Sequence, residues 1–324
     1  MRFRSIAKGL LTFVPGIRNL LPRGKTYGTD SAEYCYGVWL KHLTLLWRHG
    51  MREMPRTIAE LGPGDSLGIG LAALLSGVDR YIALDVVPFA ETDRNLHIFD
   101  ALAELFRRRA ARPSKGWPDF DADLDQRLFP SHILTDERLA AALEPSRLAA
   151  IRNALQSFDA PVDGISIGYH APWHDLRIVR PGSMDVIFSH AVLEHVEDLE
   201  TAYSAMRAWL KPGGWISHQI DFSSHGLTEE WNGHWACPDW LWRLILGRRT
   251  FLINRQPCSV HLGYLEKGGF DVLCAWRNTE RRDGITREQL ASRWRALSDD
   301  DFMCSGAFLQ ACKPSSPPSG SPGR

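Results

Sequence analysis

Two carboxylates and two glycines in the first third of the chain have the types and spacing of a small-ligand site. Glu60 lies near the end of the apolar run Thr57 to Leu61 and is followed by Gly62, Pro63 and Gly64. Asp85 closes a second apolar run, Tyr81 to Asp85, about 20 residues beyond the glycines. Glycine lets a ligand approach backbone amides and tolerates positive φ. Amides opening a helix favour phosphate or carboxylate groups. A carboxylate at the end of the next strand holds a ribose diol through two hydrogen bonds. Together these residues predict a nucleoside ligand. Farther along, His190, Asp221 and His225 follow two more apolar runs, where a base for proton transfer would stand, and histidine suits that task because its ordinary pKa is about 6.5.

These residues need an open parallel sheet to bring them to one edge. The run ending at Leu61, the Gly-Pro-Gly break and the helical spacing of Leu67, Leu71, Leu74 and Leu75 form a β–loop–α unit. Further strands are predicted at Ile165 to Tyr169, Met184 to Ser189, Trp215 to Ile220, Phe270 to Trp276 and Phe302 to Ala311. The third glycine of a G-x-G-x-x-G dinucleotide fingerprint falls one place late, at Gly68, and an acid precedes the first, so a nicotinamide oxidoreductase is disfavoured.

The ordered set Glu-Leu-Gly-Pro-Gly (60–64), Asp85, Asp-Val-Ile-Phe-Ser (185–189), Val-Leu-Glu-His-Val (192–196) and Leu-Lys-Pro-Gly-Gly (210–214) resembles the motifs of class I S-adenosylmethionine-dependent methyltransferases, especially the small-molecule type-11 branch. The resemblance covers residues 55 to 90 and 163 to 222. It implies a Rossmann-like, doubly wound α/β fold with a seven-stranded sheet, mostly parallel with an antiparallel last strand. It implies S-adenosylmethionine as cofactor, with Glu60 orienting the ammonium group, Gly62 and Gly64 under the methionine part and Asp85 on the ribose. The implied cofactor set is Glu60, Gly62, Pro63, Gly64, Asp85, Val86 and Ser189, and Trp173 falls where family members contact adenine. His190 and His225 are the candidate bases. Some relatives hold a metal on a Glu-x-x-Glu-His array, but Ala191 stands at the first acidic position here, so no metal is expected.

Composition narrows the partners. With 38 basic and 38 acidic residues among 324 the formal net charge is zero, which argues against nucleic acid. The six cysteines form no C-x-x-C pair, and reduced thiols are expected. No run approaches the ~18 apolar residues of a membrane span and the N-terminus lacks a signal-peptide pattern, so a cytoplasmic protein is expected. Residues 1–25 alternate basic residues (Arg2, Arg4, Lys8, Arg18, Arg23, Lys25) with apolar ones. They predict either peripheral membrane contact or an arm over the active-site mouth.

The expected organisation is an N-terminal arm with cap helices (1–54), a methyltransferase domain (55–312) and a disordered Pro/Ser/Gly tail (313–324). The domain would hold a helical insertion or lid at 91–163, with helical spacing at Leu96 to Phe106 and Leu148 to Leu155, separated by Pro113, Pro118, Pro130 and the acidic stretch 119–125. A Trp-rich segment at 222–261 would bind substrate, its tryptophans 231, 235, 240 and 242 suiting a sugar face and Asn232 and His234 its hydroxyls. The expected reaction is O-methylation of a small molecule, glycan or glycolipid. The alternative is a non-catalytic protein that keeps the cofactor fold.

Overall fold

The computed structural model describes residues 3–13, 28–113, 128–173, 175–249, 252–279 and 283–315. Arg18, Arg23 and Lys25, the acidic stretch 119–125 with Pro118, His174, and the tail beyond 315 lie outside the described residues. Seven strands, β1 (Thr57–Leu61), β2 (Arg80–Leu84), β3 (Ser166–His170), β4 (Met184–His190), β5 (Leu210–Asp221), β6 (Asp271–Asn278) and β7 (Gly306–Cys312), form one sheet in the order β3-β2-β1-β4-β5-β7-β6. β1 is parallel to β2 and β4, β2 to β3, and β4 to β5, whereas β7 runs antiparallel to both its neighbours, β5 and β6. This is the expected Rossmann-like, seven-stranded arrangement.

The helices are α1 (Phe3–Leu11), α2 (Ala32–Arg48), α3 (Gly68–Leu74), α4 (Thr92–Arg107), α5 (Asp136–Ala142), α6 (Pro145–Gln156), α7 (Leu199–Trp209), α8 (Asp239–Leu246), α9 (Cys258–Lys267) and the single turn α10 (Asp299–Phe302). Alternation along the strands assigns them to two faces. Ile58, Tyr81, Ala83, Ile167, Val186 and Phe188 pack with α2, α3, α4 and α6, while Ala59, Leu61, Ile82, Leu84, Ile187 and Ile216 pack with α7 and α9. The described helices of the 91–163 insertion thus join the layer that covers one face of the sheet, α4 through Ile98, Phe99, Leu102 and Phe106 and α6 through Ile151 and Leu155.

Three boundaries differ from expectation. The last strand starts at Gly306 rather than Phe302, which closes the turn α10. β5 begins at Leu210, so Lys211 to Gly214, with a turn-like composition, lie within the strand as the bulged stretch between the pairs Met184–Leu210 and Val186–Trp215. Lys313, placed in the disordered tail by its composition, is tied to the sheet edge. Its amide donates to Gly214 O at 2.8 Å, its carbonyl accepts from Gly213 N at 2.7 Å, and its ammonium reaches the carbonyls of Arg207 and Leu210.

The chain leaves β1 toward β2 on one side, while β4 pairs on the other side of β1. Loops diverge at such a switch point and open a crevice beyond the strand ends. Register aligns Leu61 with Leu84 and Ser189, Leu84 with His170, and His190 with Gln219, so Gly62, Asp85, Ala191 and Asp221 all emerge at this edge.

Candidate active site

The glycine loop has the backbone its composition predicts. Gly62 and Gly64 have φ of 64° and 76°, a region that L side chains rarely adopt. A Cβ on Gly62 would lie 2.6 Å from a methyl of Val192, so this glycine is also needed for the approach of the segment after β4. Asp85 is buried and closes the loop from below: Oδ2 accepts from Gly64 N at 3.3 Å and Oδ1 from Val86 N at 2.7 Å. Burial raises its carboxyl pKa, and these backbone bonds oppose the rise. Pro63 is buried inside the loop, while Val86 stands 47% exposed beyond β2.

Amides between the glycine loop and the first residue of α3 have protein partners. Asp65 N donates to Thr29 Oγ1 at 2.8 Å, Leu67 N to Asn95 Oδ1 at 2.9 Å and Gly68 N to Ser66 Oγ at 3.0 Å, and the Ser66 hydroxyl donates to Thr29 O. The stretch leading into α2 is thereby clasped to the chain after the glycine loop. Ser66 spends its hydroxyl on this clasp. The amides of Asp65, Leu67 and Gly68 are thereby engaged by Thr29, Asn95 and Ser66.

Glu60 is almost wholly enclosed and accepts from the Tyr81 hydroxyl and Gly70 N. Burial pushes its carboxyl up to about 8, against the lowering effect of the Tyr81 bond. Gly70 makes room for this pair, since a Cβ there would fall 2.0 Å from the Tyr81 ring.

Beyond β4 and β5 stands an acid/base group. His225, at φ 48°, has Nε2 3.2 Å from Asp221 Oδ2 and 4.0 Å from Glu194 Oε1, and its ring meets that of His195 edge-on with centroids 5.0 Å apart. Glu194 is fully buried, and burial followed by the charge of Asp221 raises its pKa well above the ordinary carboxylate value. Glu194, His195 and His225 offer donor atoms within 4.8 Å of one another. Ala191 removes one acid from the expected array, while His225 reaches this group from the loop after β5. In the sequence Glu194 is marked only by its place in Val-Leu-Glu-His-Val.

The structure separates the two candidate bases. His190 points to the α2 face, where its ring lies 5.8 Å from Tyr34 and 5.7 Å from His42. Burial holds His42 well below the ordinary histidine pKa, and its Nδ1 is 2.7 Å from Ser217 Oγ. Three further expectations require correction. The Ser189 side chain faces the opposite layer, fully buried with its Oγ 2.8 Å from His218 Nδ1, because it alternates with His190. Trp173 packs edge-on against Trp209 at 5.8 Å and stays half-buried, while its amide donates to Asp85 O at 3.0 Å. In the Trp-rich segment, Trp231 and Trp235 are buried with Ile285, Leu290 and Trp294, and Trp242 is buried with Leu227 and Ile245. Asn232 accepts from Ile285 N at 2.7 Å, and burial holds His234 down at about 3. Only Trp240 of the four tryptophans is exposed, so they make a core beside the site rather than a sugar-facing rim.

Residues 143–217 match the family profile described as a methyltransferase domain, of type 11. The match runs from the start of α6 into β5, and the seven-stranded order is the Rossmann-like one expected of such a domain. Curated relatives include the ubiquinone biosynthesis O-methyltransferases of Bordetella pertussis and Bordetella bronchiseptica, each 39% identical over 54 residues, 16% of this chain. The matched stretch spans 22% of those relatives' length. Similar solved structures include phosphoethanolamine N-methyltransferase 2 of Haemonchus contortus in complex with S-adenosyl-L-methionine, 16% identical with a TM-score of 0.41, covering 93% of this chain and 60% of that one. Another is a putative sarcosine dimethylglycine methyltransferase of Galdieria sulphuraria, 13% identical with a TM-score of 0.45, covering 86% of this chain and 85% of that one.

Proposed function

We propose that this protein transfers a methyl group from S-adenosylmethionine to an oxygen of a small hydroxylated acceptor. The observation that carries the reading is the meeting at one sheet edge of two parts: the Gly62–Gly64 loop closed by Asp85, and the Asp221–His225 pair. The cofactor supplies the electrophilic methyl group when bound. Asp85 has the acceptor oxygens for a ribose diol, and the glycine loop provides the close backbone. Glu60, held in place by Tyr81, offers a carboxylate for an ammonium group, and its raised pKa means that pairing would draw off a proton.

His225 acts as the base in this reading. With its Nε2–H turned toward Asp221, the neutral ring leaves Nδ1 to receive the acceptor's hydroxyl proton as the new bond forms, and Asp221 steadies the resulting cation. Positioning supplies much of the remaining acceleration of an in-line transfer. The burial of Trp231, Trp235 and Trp242 withdraws the main support for a free sugar acceptor, whereas an amphiphilic hydroxylated acceptor, a glycolipid included, stays within the proposal. Calorimetric titration with S-adenosylhomocysteine, with NADH as control, tests the cofactor, and radiolabel transfer to cell extract tests turnover. Binding without transfer would replace the enzyme by a non-catalytic cofactor-binding protein, and no binding would remove both.

A further inference from the structure

Nine large apolar side chains stand exposed among the described residues, and four of them gather on two adjoining helices: Leu10 (48%), Leu11 (45%) and Phe13 (47%) on or just after α1, and Trp240 (65%) on α8. The inner side of this pair is fully engaged. Gly9 meets the backbone of α8 so closely that a Cβ would lie 2.0 Å from Leu244 O, and Ile6 packs with Leu227, Trp242 and Ile245. Polar clamps hold the pair together: Thr12 Oγ1 accepts from Arg248 N at 2.8 Å, and the Arg249 guanidinium donates to Ser5 O at 3.4 Å. The outward apolar groups are thus displayed on a fixed platform.

The charge around them is mostly basic, and the one acid of α8, Asp239, is paired with Arg255 and Arg293. Arg4, Lys8, Arg243 and Arg248 are exposed there, and neither 3–13 nor 240–249 contains an acidic residue, although the whole chain is neutral. The Arg248 guanidinium lies over the Phe13 ring at 5.5 Å, placing a cation beside an apolar tip. Apolar side chains flanked by cations match the boundary between the headgroups and acyl chains of an anionic bilayer. A second copy of the same basic face would meet like charge.

We propose that α1 and α8 together form a docking face for anionic lipid surfaces, with Leu10, Leu11, Phe13 and Trp240 entering the headgroup boundary and Arg4, Lys8, Arg243 and Arg248 meeting lipid phosphates. The face is more than an N-terminal arm, because half of its cations and its most exposed aromatic belong to α8 and the two residues after it. It is mechanically linked to the site: Ser5 Oγ donates to Leu227 O at 3.2 Å, two residues from His225. The inference stands on this surface alone and does not depend on the methyltransferase reading.

The test is flotation of the full chain with vesicles of phosphatidylcholine, with and without phosphatidylglycerol. Binding is expected to the anionic vesicles, weakening as salt rises. The double variant Leu11→Ser, Trp240→Ser should lower partitioning by about tenfold or more, and Lys8→Glu with Arg243→Glu should do so at low salt, while thermal unfolding stays unchanged because all four side chains are exposed. Cofactor titration of the same preparations separates failure of this inference from failure of the proposed function. Absence of binding to anionic vesicles, equal binding to neutral ones, undiminished binding by the variants, or a dimer dissolved by the same substitutions would overturn the inference.

Discussion

Replacing Asp85 tests the cofactor reading most directly, because the structure gives this carboxylate two distinct duties. In the protein alone it accepts from Gly64 N and Val86 N, and in the proposed complex it holds the ribose. Asp85→Ala removes both. The 3.3 Å bond to Gly64 is long, so its loss weakens the loop modestly, whereas the diol would lose one or two charge-assisted bonds worth about 1–3 kcal/mol in total. That corresponds to about 5- to 150-fold in affinity. Calorimetry with S-adenosylhomocysteine reads this loss, and a double-mutant cycle using the 2′-deoxy ligand isolates the ribose contact from any change in loop shape. The wild type should lose affinity when the 2′-hydroxyl is removed, and Asp85→Ala should lose little more. Unchanged affinity in Asp85→Ala would refute the ribose role. Strict additivity of the two losses would reduce Asp85 to a support for the glycine loop.

Three further outcomes are expected. His225→Gln should lower turnover by about 10²- to 10⁴-fold with little change in S-adenosylhomocysteine affinity, and Asp221→Asn should move the same way; activity that survives His225→Gln but vanishes with a chelator would assign the group to metal binding instead. Glu60, with its folded pKa raised to about 8 by burial, binds a proton that the unfolded chain has released above about 4.5, so its contribution to stability falls as pH rises between these values. Denaturant titrations across this range should show a flatter pH dependence in Glu60→Gln, and an identical slope would mean that Glu60 is already ionised in the fold. Gly62→Ala should destabilise by about 1–2 kcal/mol from its left-handed backbone plus about 1–3 kcal/mol from crowding against Val192, and Val192→Ala should recover only the second part, as read by chemical denaturation.

Much of this architecture is legible in the sequence where a pattern has one physical cause. The Gly62–Gly64 turn, the strand ends at Leu61 and Leu84, and the helices at 32–48 and 92–107 follow from backbone restriction and apolar periodicity. Periodicity does not say which layer a strand residue meets. Ser189 and His190 are neighbours in sequence and part company in space, one bonded to His218 and the other packed against Tyr34 and His42. Composition likewise marks the tryptophans at 231, 235, 240 and 242 as a group but cannot divide them into three buried rings and an exposed one. The Asp221–His225–Glu194 cluster joins the ends of two strands, and its completion by Glu194 depends on the register of β4 with β5.

The position of β7 has a consequence for how the polypeptide is made. β6 joins the sheet through β7, and β7 is the last strand in chain order, inserted between β5 and β6. During vectorial synthesis the first five strands can assemble as each crossover emerges, but the far edge of β5 stays open and β6 has no sheet partner until residues 306–312 arrive. The nascent domain therefore passes through a stage with an unsatisfied edge, a state prone to pairing with other chains. Closure depends on contacts formed late and across long sequence separations, which slows the final step relative to assembly of the first strands. Shortening the chain within β7 would release two strand interfaces at once, so its folding should be far less tolerant of loss there than the segment's modest length suggests.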